Sequence, residues 1–546
     1  MNDSTITENT SATGNEEEYD DDAAPFTDVM PAEGKPEIVI GLVSPIGIEL
    51  EPLISALTSV LSAANYSTTP IRLSDSIQEV FGIDCKTYPE HERIELLMNA
   101  GTMLREKSRC GDAVAWLGVE QIALHRKHSL GSKVKENAYI LRSLKHPAEV
   151  ERLRAIYGRG FILVSAYAPR EFRVNTLAER FSRSRLGDES QSRAHAERLI
   201  EKDETEFGKK LGQDVKDAFP LADFFVDVRH VDGVKSEVQR FLELFFGYRF
   251  HTPTRDEHGM YHARSAALRS ADLNRQVGAA ILTETGDVLT VGCNDVPKAG
   301  GDQYWPGDAP DARDFKRGYD SSARQRKFML EEALGRLKQA KLLAETAETE
   351  DIEALVKQLT VGDRIDVLKG AALMNLLEFG RSVHAEMAAI TSAARLGIPL
   401  KGSTLFTTTF PCHMCARHIV ASGIMRVVYI EPYPKSRAKQ LHDDSIAVDP
   451  ATPSQRIVNF EPFQGIAPRQ YQLLFDAADL RKQGDGNAVE WSIAGGQVRF
   501  QRYLNTYFNI ETQITGSFIK SLRELGKKYR SKLLSSLNKE NLNDPS

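Results

Sequence analysis

From position 37 the chain alternates between short apolar runs and longer stretches in which apolar residues return every three or four positions. Residues 37–43, 71–73, 138–141, 161–164 and 224–228 read as buried strands, and 51–64, 93–109 and 112–126 as helices between them. Strands that alternate with helices predict an α/β unit, a parallel sheet with helices on both faces. The second half keeps the alternation. Residues 382–396 carry Val383, Met387, Ile390, Ala394 and Leu396 at helical spacing and stop at Gly397, a C-cap residue. Residues 405–409 and 425–431 have the β-branched and aromatic character of strands, and 412–422 reads as a helix between them. A last amphipathic stretch, 518–537, sets Ile519, Leu522, Leu525, Tyr529, Leu533 and Leu537 against a basic face. It predicts a packing or oligomer-contact helix, with an RNA- or membrane-contacting helix as the rival.

Composition divides the chain further. Its 546 residues exceed one ordinary core, so two large domains are expected. Residues 1–35 hold the run Glu16 to Asp22 and no Lys or Arg before Lys35, which predicts an acidic disordered tail. The expected layout is then a first domain over 36–250, a second over 251–510 with an insert at 298–377, and a basic C-terminal helix and tail over 511–546. Within the insert, 300–319 is rich in Gly, Pro and Asp and reads as a loop, whereas 323–359 is charged and helical. A net charge of -7 argues against wholesale capture of nucleic acid. Five scattered cysteines argue against a disulfide framework. Neither an apolar run of membrane-spanning length nor a signal peptide is present, so a soluble, cytoplasmic protein without a membrane partner is expected.

Chemistry concentrates at His384-Ala385-Glu386 and Pro411-Cys412-His413-Met414-Cys415. His384, Cys412 and Cys415 fall at the starts of two expected helices, where thiol pKa is lowered and metal binding favoured. One imidazole and two thiolates leave the fourth position of a tetrahedral zinc ion open, as in a catalytic rather than a structural site. Glu386 is placed as the proton carrier. The set predicts one catalytic Zn²⁺ per chain and hydrolytic deamination of an amidine carbon such as C4 of cytosine. His413 would point away from the metal.

The loop after the first strand, with Gly41, Ser44 and Gly47 as candidate nucleotide-binding residues, half fits a phosphate cradle. Five residues separate the two glycines, Ile48-Glu49 stands where a working loop has Lys-Ser/Thr, and Arg142 to Lys145 follow the 138–141 strand in place of a metal-binding aspartate. Phosphoryl transfer is not expected; a nucleotide sensor or a scaffold is. Arg180, Arg183 and Arg185 are placed like a lid.

At the metal motif the chain resembles the cytidine and deoxycytidylate deaminase family. The likeness extends to Arg275-Gln276-Val277-Gly278-Ala279-Ala280-Ile281 and to Gly292-Cys293-Asn294-Asp295-Val296-Pro297, which look like the family's first two strands. It implies a C-terminal cytidine-deaminase-like α/β/α domain in which Asn294 bonds the sugar and Arg275 approaches the phosphate. A turn residue and a surface salt bridge are the plainer readings of those two. Arg313, Lys316, Arg317, Arg324 and Lys327, with Lys435 and Arg437, are candidates for holding further phosphates.

A P-loop kinase-like domain joined to such a deaminase domain resembles the bacterial anti-phage dCTP/dCMP deaminases, the antiviral cytidine deaminases. Arg142-Ser143-Leu144-Lys145-His146-Pro147, Arg269-Ser270-Ala271-Asp272-Leu273 and Glu431-Pro432-Tyr433-Pro434-Lys435-Ser436 carry the likeness. It implies deamination of free deoxycytidine nucleotides, dCTP to dUTP and dCMP to dUMP, and depletion of dCTP as antiviral defence. A regulatory deoxynucleotide, an inhibitory small RNA and a homo-oligomer are implied with it. The alternatives are a polynucleotide-editing deaminase acting on RNA or single-stranded DNA, and an RNA-responsive signalling protein with a structural zinc.

Overall fold

Six consecutive buried residues, Ile38–Val43, form β1, the centre of the first sheet. The computed structural model of the protein describes residues 35–129, 136–184, 189–368, 371–376, 379–431, 436–450, 452–476, 481–499 and 506–540. Almost all of the expected acidic tail, Arg185, Lys435 and the middle of the Glu431–Ser436 motif lie outside them. β1 pairs with β3 (Asn137–Leu144) and β4 (Phe161–Tyr167), and these pair with β2 (Ser67–Arg72) and β5 (Phe224–Asp227), all in parallel. Parallel neighbours require crossovers, and helices such as Glu51–Ala63, Glu90–Ser108, Ala113–Ser129 and Pro147–Tyr157 supply them.

The second sheet has the order β10 (Ile446–Val448), β11 (Val458–Pro462), β9 (Arg426–Glu431), β8 (Thr404–Thr409), β6 (Gly278–Leu282) and β7 (Val288–Cys293). Four strands run parallel, while β6 is antiparallel to both of its neighbours. One face is covered by helix Arg255–Ala267, which lies so close that a Cβ on Gly259 would stand 2.4 Å from Phe406. Helices Ala385–Leu396 and His413–Ala421 cover the other, over a core including Leu405, Ile419 and Phe460. The protein is thus a mixed α/β structure with two mainly parallel sheets.

Two late segments return to the first sheet. β12 (Gly465–Ile466) adds an antiparallel edge to β5. Helix Thr506–Glu540 packs against Leu73–Phe81, Glu90–Ser108 and Ala113–Ser129, burying Ile519, Leu522 and Leu533. Its docking includes a buried ionic knot: Arg126 bonds Glu37 at 2.8 Å and Glu511 at 2.5 Å, and the Tyr157 hydroxyl donates to Glu511 at 2.9 Å. The apolar face read from the sequence is therefore spent inside the chain, and one buried cluster runs from the first sheet to Met260, Phe406 and Phe463 of the second unit. The insert has a small core of its own, Leu330, Leu355, Val356 and Leu359, between helices Ser321–Gln339 and Ile352–Thr360. Among the described residues no helix is long and apolar enough to cross a membrane.

Candidate metal centre

His384 and Cys412 are both N-cap residues, with extended backbone angles, of the helices Ala385–Leu396 and His413–Ala421. Cys415 lies in the first turn of the second helix. The two helix starts meet at the carboxyl end of β8, so that His384 Nδ1 stands 3.3 Å from Cys412 Sγ and 3.5 Å from Cys415 Sγ. A tetrahedral zinc with Zn–S of ~2.3 Å and Zn–N of ~2.0 Å would set those edges near 3.5 Å, so the three side chains fit a zinc ion without rearrangement. Among the described residues they form the metal-ligand cluster of the chain, and His413 is not part of it.

The titration of the cluster points the same way. Hydrogen bonding from Cys415, aided by His384, pulls the Cys412 thiol well down. Its bond to Cys412, with burial, pushes Cys415 up. Cys412 in turn raises His384 to about 9. Three groups crowded this closely share too few protons to satisfy one another, and a divalent cation would serve all three donors at once. Glu386 is 2 % exposed. Burial, then the charge of Cys412, pushes its carboxyl up. One carboxylate oxygen accepts from Thr407 Oγ1 at 3.4 Å, and the other lies 3.3 Å from Cys415 Sγ.

His384, Glu386 and Cys412 line a cavity of about 320 Å³. Three arginines, Arg275, Arg326 and Arg381, line it as well. Arg275 bonds Glu431 at 2.9 Å and Thr409 Oγ1 at 3.3 Å, with 48 % of its side chain exposed. Arg381 bonds Asp314 at 2.6 Å. Arg326 has no carboxylate partner among the described residues and donates to Ser322 Oγ at 2.8 Å. Asn294 also lines the cavity, with Oδ1 accepting from Val277 N at 2.6 Å and Nδ2 donating to Arg275 O at 2.8 Å. It thereby braces the entry to β6.

The insert cations singled out in the sequence lie elsewhere. Arg313 forks onto Asp311, Lys327 pairs with Glu331, and Arg324 lies over the Tyr319 ring. Arg326, on the same helix as Arg324 and Lys327, is the one that lines the cavity, and no signal in the sequence separates it from those neighbours.

In the first unit, Gly41 lies within β1, where a Cβ would come within 2.9 Å of Leu144 and Phe161. Its lack of a side chain serves packing across the sheet rather than the loop. Ser44 and Gly47 line a separate cavity. Gly47 has φ +86, and a Cβ there would meet the Arg173 carbonyl at 2.7 Å. Of the lid arginines, Arg180 pairs with Glu90 and Arg183 with Glu179.

Comparison with known proteins places this geometry in a class. Residues 253–431 match the model of the cytidine and deoxycytidylate deaminase zinc-binding region, so the C-terminal half contains a zinc-binding deaminase domain of that kind. More particularly, the chain is similar to the deoxycytidylate deaminase of Enterobacteria phage T2, 46% identical over 55 residues, which are 10% of this chain and 29% of that protein. It is also similar to ComE operon protein 2 of Bacillus subtilis (strain 168), 40% identical over 53 residues, 10% of this chain and 28% of that protein. The chain thus spans under a third of the length of these two relatives. Among solved structures, the dCMP deaminase of cyanophage S-TIM5 in apo form aligns with 39% of this chain and 100% of its own, at 16% identity and a TM-score of 0.21.

Proposed function

We propose that this chain hydrolyses the exocyclic amine of free deoxycytidine nucleotides, taking dCTP to dUTP and dCMP to dUMP. The observation that carries the reading is a His-Cys-Cys set that fits zinc, two of whose members line a cavity together with a buried glutamate and three arginines. Held by His384 Nδ1, Cys412 Sγ and Cys415 Sγ, zinc would lower the pKa of a water to about 7. Glu386 is the proton carrier: it takes one proton from the attacking water and delivers it to N3 of the ring, then takes the second from the hydroxyl now on C4 and passes it to the amine, which leaves as ammonia. Oxygen becomes bonded to C4, the C4–N4 bond breaks, and Glu386 ends as it began. Thr407 fixes the carboxylate from β8. Asn294 retains one acceptor and one donor position beyond its backbone bonds, enough for a sugar hydroxyl. Arg275, Arg326 and Arg381 offer forks to the phosphates.

The wider role follows from the domain pairing. Its resemblance to the anti-phage dCTP/dCMP deaminases supports depletion of dCTP as antiviral defence, with a non-transferring P-loop kinase-like first unit. A regulatory deoxynucleotide, a repressing small RNA and a homo-oligomer belong to the same reading. Ammonia release from dCMP, dCTP, deoxycytidine and single-stranded DNA tests the substrate class directly, and turnover confined to DNA would replace it with polynucleotide editing. Glu386→Ala is expected to keep zinc and fold while losing about 10²–10⁴-fold in rate. An active Glu386→Ala protein ends the mechanism.

A further inference from the structure

The helices Ala113–Ser129 and Thr506–Glu540 pack side by side, and a groove of about 580 Å³ runs between them. Four cations line it, Lys127, Lys520, Arg523 and Lys527, against two carboxylates, Glu120 and Glu524. Arg523 is taken by Glu120 at 2.9 Å. The three lysines have no carboxylate partner among the described residues. Between these charges stands Leu124, 37 % exposed, an apolar side chain that a small inorganic anion would leave in water. The groove therefore suits a segment that carries several carboxylates around one aromatic side chain, whose ring can meet both Leu124 and a lysine ammonium.

The chain carries such a segment. Glu16-Glu17-Glu18-Tyr19-Asp20-Asp21-Asp22 sets six carboxylates about one tyrosine. It lies outside the described residues, which begin at Lys35, and they begin close to the groove. Glu37 bonds Arg126 at 2.8 Å, and Arg126 bonds Glu511 at 2.5 Å. Arg126 adjoins Lys127 in sequence, and Glu511 lies five residues, about 7.5 Å of helical rise, before Gly516, which lines the groove. Residues 23–34, between the acidic run and Lys35, can span up to about 40 Å. That covers the step back to Glu37 and the whole groove, about 16 Å along the helix from Gly516 to Lys527. A tether of this length keeps the run at roughly millimolar concentration beside the lysines, so ion pairs that are weak one by one are enough to seat it.

We propose that the acidic segment 16–22 docks in this groove within its own chain, its carboxylates on Lys127, Lys520 and Lys527 and the Tyr19 ring against Leu124. The occupant takes these cations out of reach of RNA or anionic lipid, the other partners that a basic helix suggests. The docking is separate from the deaminase site and stands whether or not that reading holds.

The test is carbodiimide cross-linking of the full-length protein, which joins a carboxylate to a lysine only where the two touch, read by peptide mass spectrometry. Lys298 and Asp308, 2.7 Å apart, are the internal standard for the chemistry. The segment 16–22 is expected to be joined to Lys127, Lys520 or Lys527, and a mixture of isotopically light and heavy protein should show these links within single chains. Lys520→Glu is expected to lower the links at Lys127 and Lys527 by about threefold or more, and Leu124→Ser to lower them without any change of charge. Melting identifies a variant that fails to fold. Acetylation of Lys520 then serves instead, expected to quicken about threefold when the six carboxylates of 16–22 are replaced by their amides. Several results overturn the proposal: the standard without any link from 16–22 to the three lysines, links between chains only, or links unchanged in both folded variants. So does Lys520 acetylation that ignores the amide replacements, the outcome if RNA, lipid or another protein covers the groove.

Discussion

Gly292 decides where the zinc-site helix rests. It lies in β7, and a Cβ built on it would stand 2.4 Å from the Ala385 carbonyl and 2.4 Å from the Ala389 amide. Both are backbone atoms of the helix Ala385–Leu396, so no side chain can rotate away to make room. Ordinary contact begins near 3.4 Å. Gly292→Ala must therefore lift the helix start by about 1 Å, a strain costing about 1–3 kcal/mol. His384 and Glu386 ride on that first turn, while Cys412 and Cys415 belong to the other helix and stay behind. Zinc–ligand distances tolerate only ~0.2 Å, and a misplacement of ~1 Å in catalytic groups costs about 10²-fold. The expected protein folds, holds less than one zinc per chain by mass spectrometry of metals, and loses about 10²-fold in kcat/KM for dCMP. Gly335→Ala, at a helical glycine with nothing within 4 Å, controls for the substitution itself. Full zinc with activity within ~3-fold of the parent would refute the argument that this contact sets the site.

The remaining predictions probe other links. Arg326→Ala should raise KM for dCMP and dCTP by about tenfold and leave deoxycytidine unchanged, as loss of a charge-assisted phosphate contact requires; equal losses on all three would make it a general structural residue. Arg126→Met strands Glu37 and Glu511 as buried, uncompensated charges, at a cost of about 3–5 kcal/mol; thermal melting that overlays the parent would contradict that accounting. Burial, then Asp227, raises the Glu237 carboxyl to about 7 from its ordinary 4.5. Because the folded form holds the proton more tightly than the unfolded one, stability is present below pH 4.5 and is lost as pH rises through 7. Discounted for partial exposure, Glu237→Gln should gain about 1–2 kcal/mol over the parent at pH 8 and nothing near pH 4.5. A gain independent of pH would assign the effect to packing.

The metal centre was legible because its parts lie in two short stretches whose flanks carry strong periodicity. Gly397 ends one helix in the left-handed conformation that its identity suggests, and His384 and Cys412 fall at helix starts, where the alternation of strand and helix places them. Arg326 was not legible. Several cations crowd residues 313–327, and only the folded placement of that helix selects the one that lines the cavity. Gly41 misleads for a different reason, since a glycine kept for packing between Leu144 and Phe161 reads the same as one kept for a phosphate. β12 spans two residues, too few for any period to register.

That two-residue strand and the final helix have a consequence for how the protein is made. The first sheet lacks the β12 edge, and the helices over it lack Ile519, Leu522 and Leu533, until those later segments have been synthesised. A nascent chain paused after the first half would hold an exposed apolar face on the ribosome, with Glu37 and Arg126 waiting for Glu511. Completion of the first unit therefore waits on segments made long after its own strands, and a stop before the helix Thr506–Glu540 leaves that unit without part of its core.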